Sequence, residues 1–296
     1  MKEFKFPSEI DYTEEFVDDI ALIDARKDKR IAARKRRRIF RINVVLLCFL
    51  LLIGGTVGGI WWFNRVPTSP ISALAEVIVN ENFELLSEIV SIGVDLNNPI
   101  FDITRNEYNP PLLIAVRLGN NRMIYALVNY GADVNITFGR LYDTPLHSAA
   151  EFGSPQIIED LIYLGANVNA TNQNRQTPLH RAVYNRNIQV MEKLLEYVDD
   201  LNPREINDWT PLHHAAQAGR LATIETLINA GADVDSQLTD GWTALHLAAN
   251  AGNVYIAEAL LTAGADRNIE NNAGDTPFDI AERRDNEALM NLLAND

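Results

Sequence analysis

The chain has 296 residues, with 26 Lys and Arg against 40 Asp and Glu, a formal net charge of −14 at pH 7. That length holds one or two ordinary domains, and so large an excess of carboxylates speaks against a nucleic-acid backbone as partner. The charge is also polarised: residues 1–25 hold two Lys and eight Asp or Glu, residues 26–41 hold ten Lys or Arg and only Asp28, and the remainder is strongly acidic. Parts this different are built for different surroundings.

Residues 1–41 read as a cytoplasmic tail. Phe16, Ile20 and Ile23 recur at helical spacing inside the acidic stretch Thr13 to Asp24, a pattern that fits either a docking segment or a helix solvated on one side. The basic cluster Arg34 to Arg38 with Arg41 adjoins a run from Ile42 to Phe63 that carries no formal charge. At about 1.5 Å rise per residue such a run makes a helix of roughly 33 Å, enough to cross a hydrocarbon core of about 30 Å. Trp61, Trp62 and Phe63 fall where an aromatic belt meets the far interface. The run starts too far into the chain, and is too long, for a cleavable signal peptide, so it is expected to be an uncleaved signal-anchor.

Flanking charge sets the orientation. All ten basic residues of 26–41 precede the run and only Arg65 follows it closely, which keeps the N-terminus in the cytoplasm and exports residues 64–296. A bacterial inner membrane with a periplasmic, or otherwise exoplasmic, C-terminal domain is the expectation. The sole cysteine, Cys48, lies within the run, so no intrachain disulfide forms. Gly54, Gly55, Gly58 and Gly59 form two overlapping GxxxG pairs, a seam through which two spans can pack as a homodimer.

After a connector at 64–70 the chain becomes periodic. Thr144-Pro-Leu-His147 returns at Thr177, Thr210 and, with Ala for Pro, at Thr243, and Thr276-Pro-Phe-Asp279 is a worn fifth copy. A second landmark keeps phase with it: Gly131-Ala-Asp-Val-Asn135, Gly165 to Asn169, Val198 to Asn202, Gly231 to Asp235 and Gly264 to Asn268. Between landmarks the apolar spacing is helical. Leu212, Ala215 and Ala216 mark a first helix broken at Gly219, and Ile224, Leu227 and Ile228 a second ended by Gly231. Thr suits the cap of the first helix, Pro its first turn, and paired alanines a close approach of neighbours. A strict period of this size announces a stack of units, not one closed core.

These landmarks resemble the TPLHLAA and GADVN signatures of the ankyrin repeat, over residues 71–295. The resemblance implies an all-α solenoid of helix pairs with short hairpin loops, about seven units including divergent caps, preceded by the transmembrane helix and the tail. Pro110-Pro111-Leu112-Leu113 departs from the motif, and Val198 replaces a helix-ending glycine. His147, His180, His213 and His246 occupy one repeat position, where the resemblance implies hydrogen bonds between adjacent loops. Spaced by whole repeats, the four rings cannot converge on one metal ion. The extra His214 is expected on a different face from His213, at the surface or in a groove. No catalytic motif or cofactor-binding turn is present, so no enzyme activity, cofactor or metal is expected.

The resemblance also implies where another protein would bind: on the hairpin tips, or fingers, and on the first helices, or palm. Those positions hold Arg140, Leu141, Asp143, Gln173, Trp209 and Trp242 on the fingers, and Glu151, Phe152, Tyr184 and Asn185 on the palm. Asn135 and Asn169 open Asn-x-Thr sequons. The expected function is that of a membrane-anchored scaffold, tether or inhibitor, or of a transducer linking an external partner to the tail.

Overall fold

A computed structural model describes residues 70–294, which belong to the C-terminal of the two units into which the chain divides at Pro67–Thr68. The tail 1–41, the run 42–63 with Gly54, Gly55, Gly58 and Gly59, and all but the last residue of the connector lie outside the described residues. Among those described, no helix is long and apolar enough to cross a membrane.

Helices come in pairs, each a first helix and an antiparallel second one: α1 (Pro70–Val79) with α2 (Phe83–Ser91), α3 (Pro111–Arg117) with α4 (Asn121–Asn129), and α5 (Pro145–Phe152) with α6 (Pro155–Tyr163). Then follow α7 (Pro178–Asn185) with α8 (Ile188–Leu195), α9 (Pro211–Gln217) with α10 (Leu221–Ala230), α11 (Ala244–Ala251) with α12 (Val254–Thr262), and α13 (Pro277–Arg283) with α14 (Glu287–Leu293). The only strands among the described residues are β1 (Ile100–Asp102) and β2 (Glu107–Asn109), an antiparallel hairpin inserted before α3.

Such short helices are marginal alone and are held by caps and by neighbours. Thr144, Thr210, Thr243 and Thr276 each accept from the N–H of the third helical residue, and Pro occupies the first turn of every first helix but α11. Leu146, Ala149 and Ala150 are fully buried, as are their equivalents Leu212, Ala215 and Ala216, so consecutive first helices meet on methyl groups. The second helices add Ile158 and Leu161, then Ile224 and Leu227, and one core runs from Leu74 to Leu293. Gly231 ends α10 in the left-handed region at φ 102°, a conformation open to glycine. Where Val198 stands instead, α8 stops at Leu195, short of the position matching the end of α10.

Two polar ladders register the stack. Asn97, Asn135 and Asn202 each accept, through Oδ1, a backbone N–H of the next unit at Asp133, Asn167 and Asp233, at 2.7–2.9 Å. Asn135 also donates its Nδ2, the atom a sequon would glycosylate, to Gly165 O at 3.0 Å. The histidines form the second ladder. His147 Nδ1 accepts the Thr144 N–H at 3.2 Å, which places the proton on Nε2, and Nε2 donates to Gln176 O of the next finger at 2.9 Å. His180 and His246 repeat this with Trp209 O at 3.3 Å and Asp275 O at 3.0 Å. His213 faces the Trp242 and Ser236 backbone, but its Nε2 meets neither in bonding geometry. Among the described residues no cluster of three His, Cys, Asp or Glu could hold a metal ion.

The ladder requires neutral rings. Burial pushes His180 and His213 down to about 4, and lowers His147 and His246 as well. An unfolded histidine titrates near pH 6.5, so below that the unfolded chain takes up protons that the folded rings refuse. Stability is therefore full above about pH 6.5 and falls as pH drops toward 4. The urea midpoint is expected to decline across that window, and His180→Gln to reduce the slope while costing about 1 kcal/mol at pH 7. A midpoint flat between pH 6.5 and 4.5 contradicts the neutral ladder.

Candidate functional site

The surface on which a partner is expected is made of the fingers and of the exposed ends of the first helices. Its first finger is the β1–β2 hairpin. Alternation along the strands sends Asp102 and Asn109 inward, where Asn109 Nδ2 donates to Asp102 Oδ2 at 3.2 Å, and Phe101 and Tyr108 outward as directly opposed residues. The two rings meet edge to face at 5.4 Å and stay 42% and 72% exposed, with Ile103 exposed at the turn. The Arg105 guanidinium lies 5.1 Å from the centre of the Phe152 ring at the end of α5, joining finger to palm through a cation–π contact. None of these hairpin residues was among the sequence-derived positions. The alternation from Ile100 to Asn109 around Thr104-Arg105-Asn106 is the signal that could have found them.

The later fingers are linked in series by backbone bonds, Gln173 N–H to Leu141 O at 2.7 Å, Ile206 to Asn174 at 3.3 Å, Thr239 to Asn207 at 3.3 Å and Asn272 to Asp240 at 3.0 Å. Gly241 permits one such approach, since a Cβ there would stand 2.8 Å from the Asn272 nitrogen. Among the described residues no backbone bond ties the β1–β2 hairpin to the finger after it.

The expected contact positions fall into two groups. Arg140 and Gln173 are exposed on finger tips, Phe152 is half exposed, and Asn185 is exposed with its Nδ2 on Arg181 O of its own helix. Others are occupied within the stack. Asp143 accepts from Arg181 Nη2 and Asn172 Nδ2, both at 2.8 Å, while Glu151 lies 3.7 Å from Arg181 and Leu141 is half-buried. Trp209 and Trp242 are partly buried against the core. Trp209 stacks on His214 at 4.8 Å, and Trp242 leans on His246 at 5.8 Å.

Tyr184 belongs to a cluster that spans three elements. Its hydroxyl lies 3.2 Å from Glu205 Oε1 and 2.9 Å from His214 Nε2, and His214 Nε2 meets the same Glu205 oxygen at 2.5 Å. Glu205 sits in the finger before α9 and is 7% exposed. Burial pulls its carboxyl up, but the hydrogen bond and charge of His214 outweigh this and leave it below the usual carboxylate range. Burial and then the Glu205 charge hold the Tyr184 phenol protonated, its pKa well above the ordinary value. His214 is thus not the plain surface residue expected of it: its side chain is 13% exposed and tied to Tyr184, Trp209 and Glu205, the last a partner that no repeat motif announces. The cluster has an acid, an imidazole and a phenol, yet its short bonds close on one another, and they fix the Tyr184 ring at the palm with 38% of its surface exposed.

Family models for ankyrin repeats match residues 73–172, 146–237 and 227–281. This chain belongs to the ankyrin repeat family. A solved structure similar to it is the ankyrin repeat domain of Bcl-3, described as a unique member of the IkappaB protein family, with 28% identity and a TM-score of 0.66 over 76% of this chain and all of that one. No curated protein matches the sequence. Ankyrin repeats serve as protein–protein interaction scaffolds, and none of the matched families is enzymatic.

A double-mutant cycle tests the cluster. Glu205→Gln and His214→Gln are each expected to lower unfolding stability by about 1–3 kcal/mol, and together by clearly less than the sum. Strict additivity would mean that the two side chains are not paired in solution.

Proposed function

We propose that the protein is a non-enzymatic scaffold or tether that holds another protein against its N-terminal fingers and palm. The observation that carries this reading is the run of exposed aromatic groups at Phe101, Tyr108, Phe152 and Tyr184, two of them fixed by side-chain contacts to Arg105 and to the Glu205–His214 pair. Rigid, amphipathic rings on a scaffold lose little entropy on binding and are the usual energetic centres of an interface. Arg140, Gln173 and Asn185 supply polar contacts at the rim. Asp143, Glu151 and Leu141 support the surface from within the stack, and Trp209 and Trp242 back it from the finger bases.

The same proposal places this surface on the far side of a membrane, anchored by residues 42–63. The charge asymmetry around that run supports the orientation. A reporter active only outside the cytoplasm, fused after Asp296, is expected to be active, and activity of a cytoplasm-only reporter at that junction overturns the topology. The binding surface is tested with a photo-crosslinking residue in cells. Placed at Phe152 it is expected to trap a defined partner, whereas at Tyr255, 73% exposed on a second helix, it traps none. Equal labelling from both positions defeats the assignment. Phe152→Ala should then weaken the trapped partner by about 2 kcal/mol with the melting temperature little changed.

A further inference from the structure

One second helix begins differently from the rest. Five of the seven start on an Asn, and α6 on Ser154, whose side-chain oxygen accepts the N–H of the third helical residue. α10 starts on Arg220, which offers no acceptor, so its first turn keeps uncapped N–H groups. A guanidinium is also the wrong charge for the positive end of a helix.

A second cation stands beside it. Arg186 ends α7 in the left-handed region at φ 59°, and its charge, after burial, lowers the Arg220 pKa. Arg220 Nη1 is spent on Val183 O. Among the described residues neither arginine forms an ion pair with a carboxylate, in a chain rich in carboxylates. Between the exposed Arg186 and the half-buried Arg220 lies a shallow cavity of ≈300 Å3, open to solvent and lined further by Ile188, Gly219, Leu221 and Thr223. Thr223 is the third residue of α10 and only 3% exposed, and its hydroxyl has no hydrogen-bond partner among the described residues.

Two guanidiniums, a helix N-terminus and the unpartnered hydroxyl of the largely buried Thr223 are therefore gathered on one cavity whose lining holds no negative group to balance them. We propose that this cavity binds a phosphate-type oxyanion, free or as a small phosphate monoester, between Arg186 and the first turn of α10. The anion takes the place of the missing cap: its oxygens accept from the N–H groups of that turn and from Thr223, and its charge relieves the repulsion between the two guanidiniums. The site lies where the turns of two successive helix pairs meet, so an occupied cavity also ties those pairs together.

Calorimetric titration of the purified full chain tests this, with sodium phosphate or glycerol 3-phosphate as titrant and sodium chloride holding the ionic strength constant. Saturable binding of one anion is expected, weakened at least tenfold by Arg186→Gln. The decisive variant is Arg220→Asn, which installs the cap that five sister helices carry. It is expected to melt at or above the temperature of the parent chain and to lose the anion. Tighter binding of glycerol 3-phosphate identifies the esterified group as the ligand, and tighter binding of phosphate the free ion. Heats no different from those of chloride, or undiminished binding by Arg220→Asn, overturn the proposal.

Discussion

The middle of the stack hangs on one arrangement at the start of α5, α7 and α11, where threonine and histidine close on each other and the far nitrogen of the ring reaches the following finger. At His147 a single side chain thus caps its own helix against Thr144 and fastens Gln176, a whole repeat onward. The bond works because the imidazole is neutral, with one nitrogen accepting and the other donating, and burial in the stack keeps it so. A charged ring would lose the acceptor that the threonine N–H needs. Helix length, finger position and the spacing of the alanine methyls all follow once these joints are set.

The joints link only nearest neighbours, so the stability of the stack is a sum over units and their interfaces. That leaves the periphery free to vary. Side chains at finger tips and helix ends contribute little to stacking, and it is there that the chain departs from its own period. The β1–β2 hairpin replaces the plain finger, Glu205 and His214 interrupt the finger and helix of a single unit, and Arg220 stands where the other units place a capping oxygen. Each departure puts an aromatic ring or a charge at a place the repeat would fill with a structural residue.

The polar groups of the surface are also less free than their exposure suggests. Asp143 and Glu151 turn toward Arg181, and Tyr184 turns toward Glu205 and His214. A residue tied in this way presents a fixed face instead of a mobile one, which lowers the entropy lost when something binds against it. Trp209 is the extreme case: its ring is half-buried, and it shapes the groove mainly by stacking on His214.

Period and motif, read along the chain, sufficed for the helix pairs and the caps, and the family resemblance for the inter-loop bonds of His147, His180 and His246 though not of His213, because those features depend on residues three or four apart or on a strict repeat. The long apolar run and its basic flank were equally plain, since they are matters of composition. What the sequence could not decide was which exposed positions are free. Asp143 and Arg140 lie three residues apart on one finger and look alike in the motif frame, yet one is held by Arg181 from the next unit and the other points into solvent. Likewise Glu205, Tyr184 and His214 stand 9 to 30 residues apart, and Arg186 and Arg220 a full unit apart. Their meeting depends on how far one helix pair is rotated on the next, a quantity set by the packing of alanine and leucine side chains that only the tertiary structure resolves.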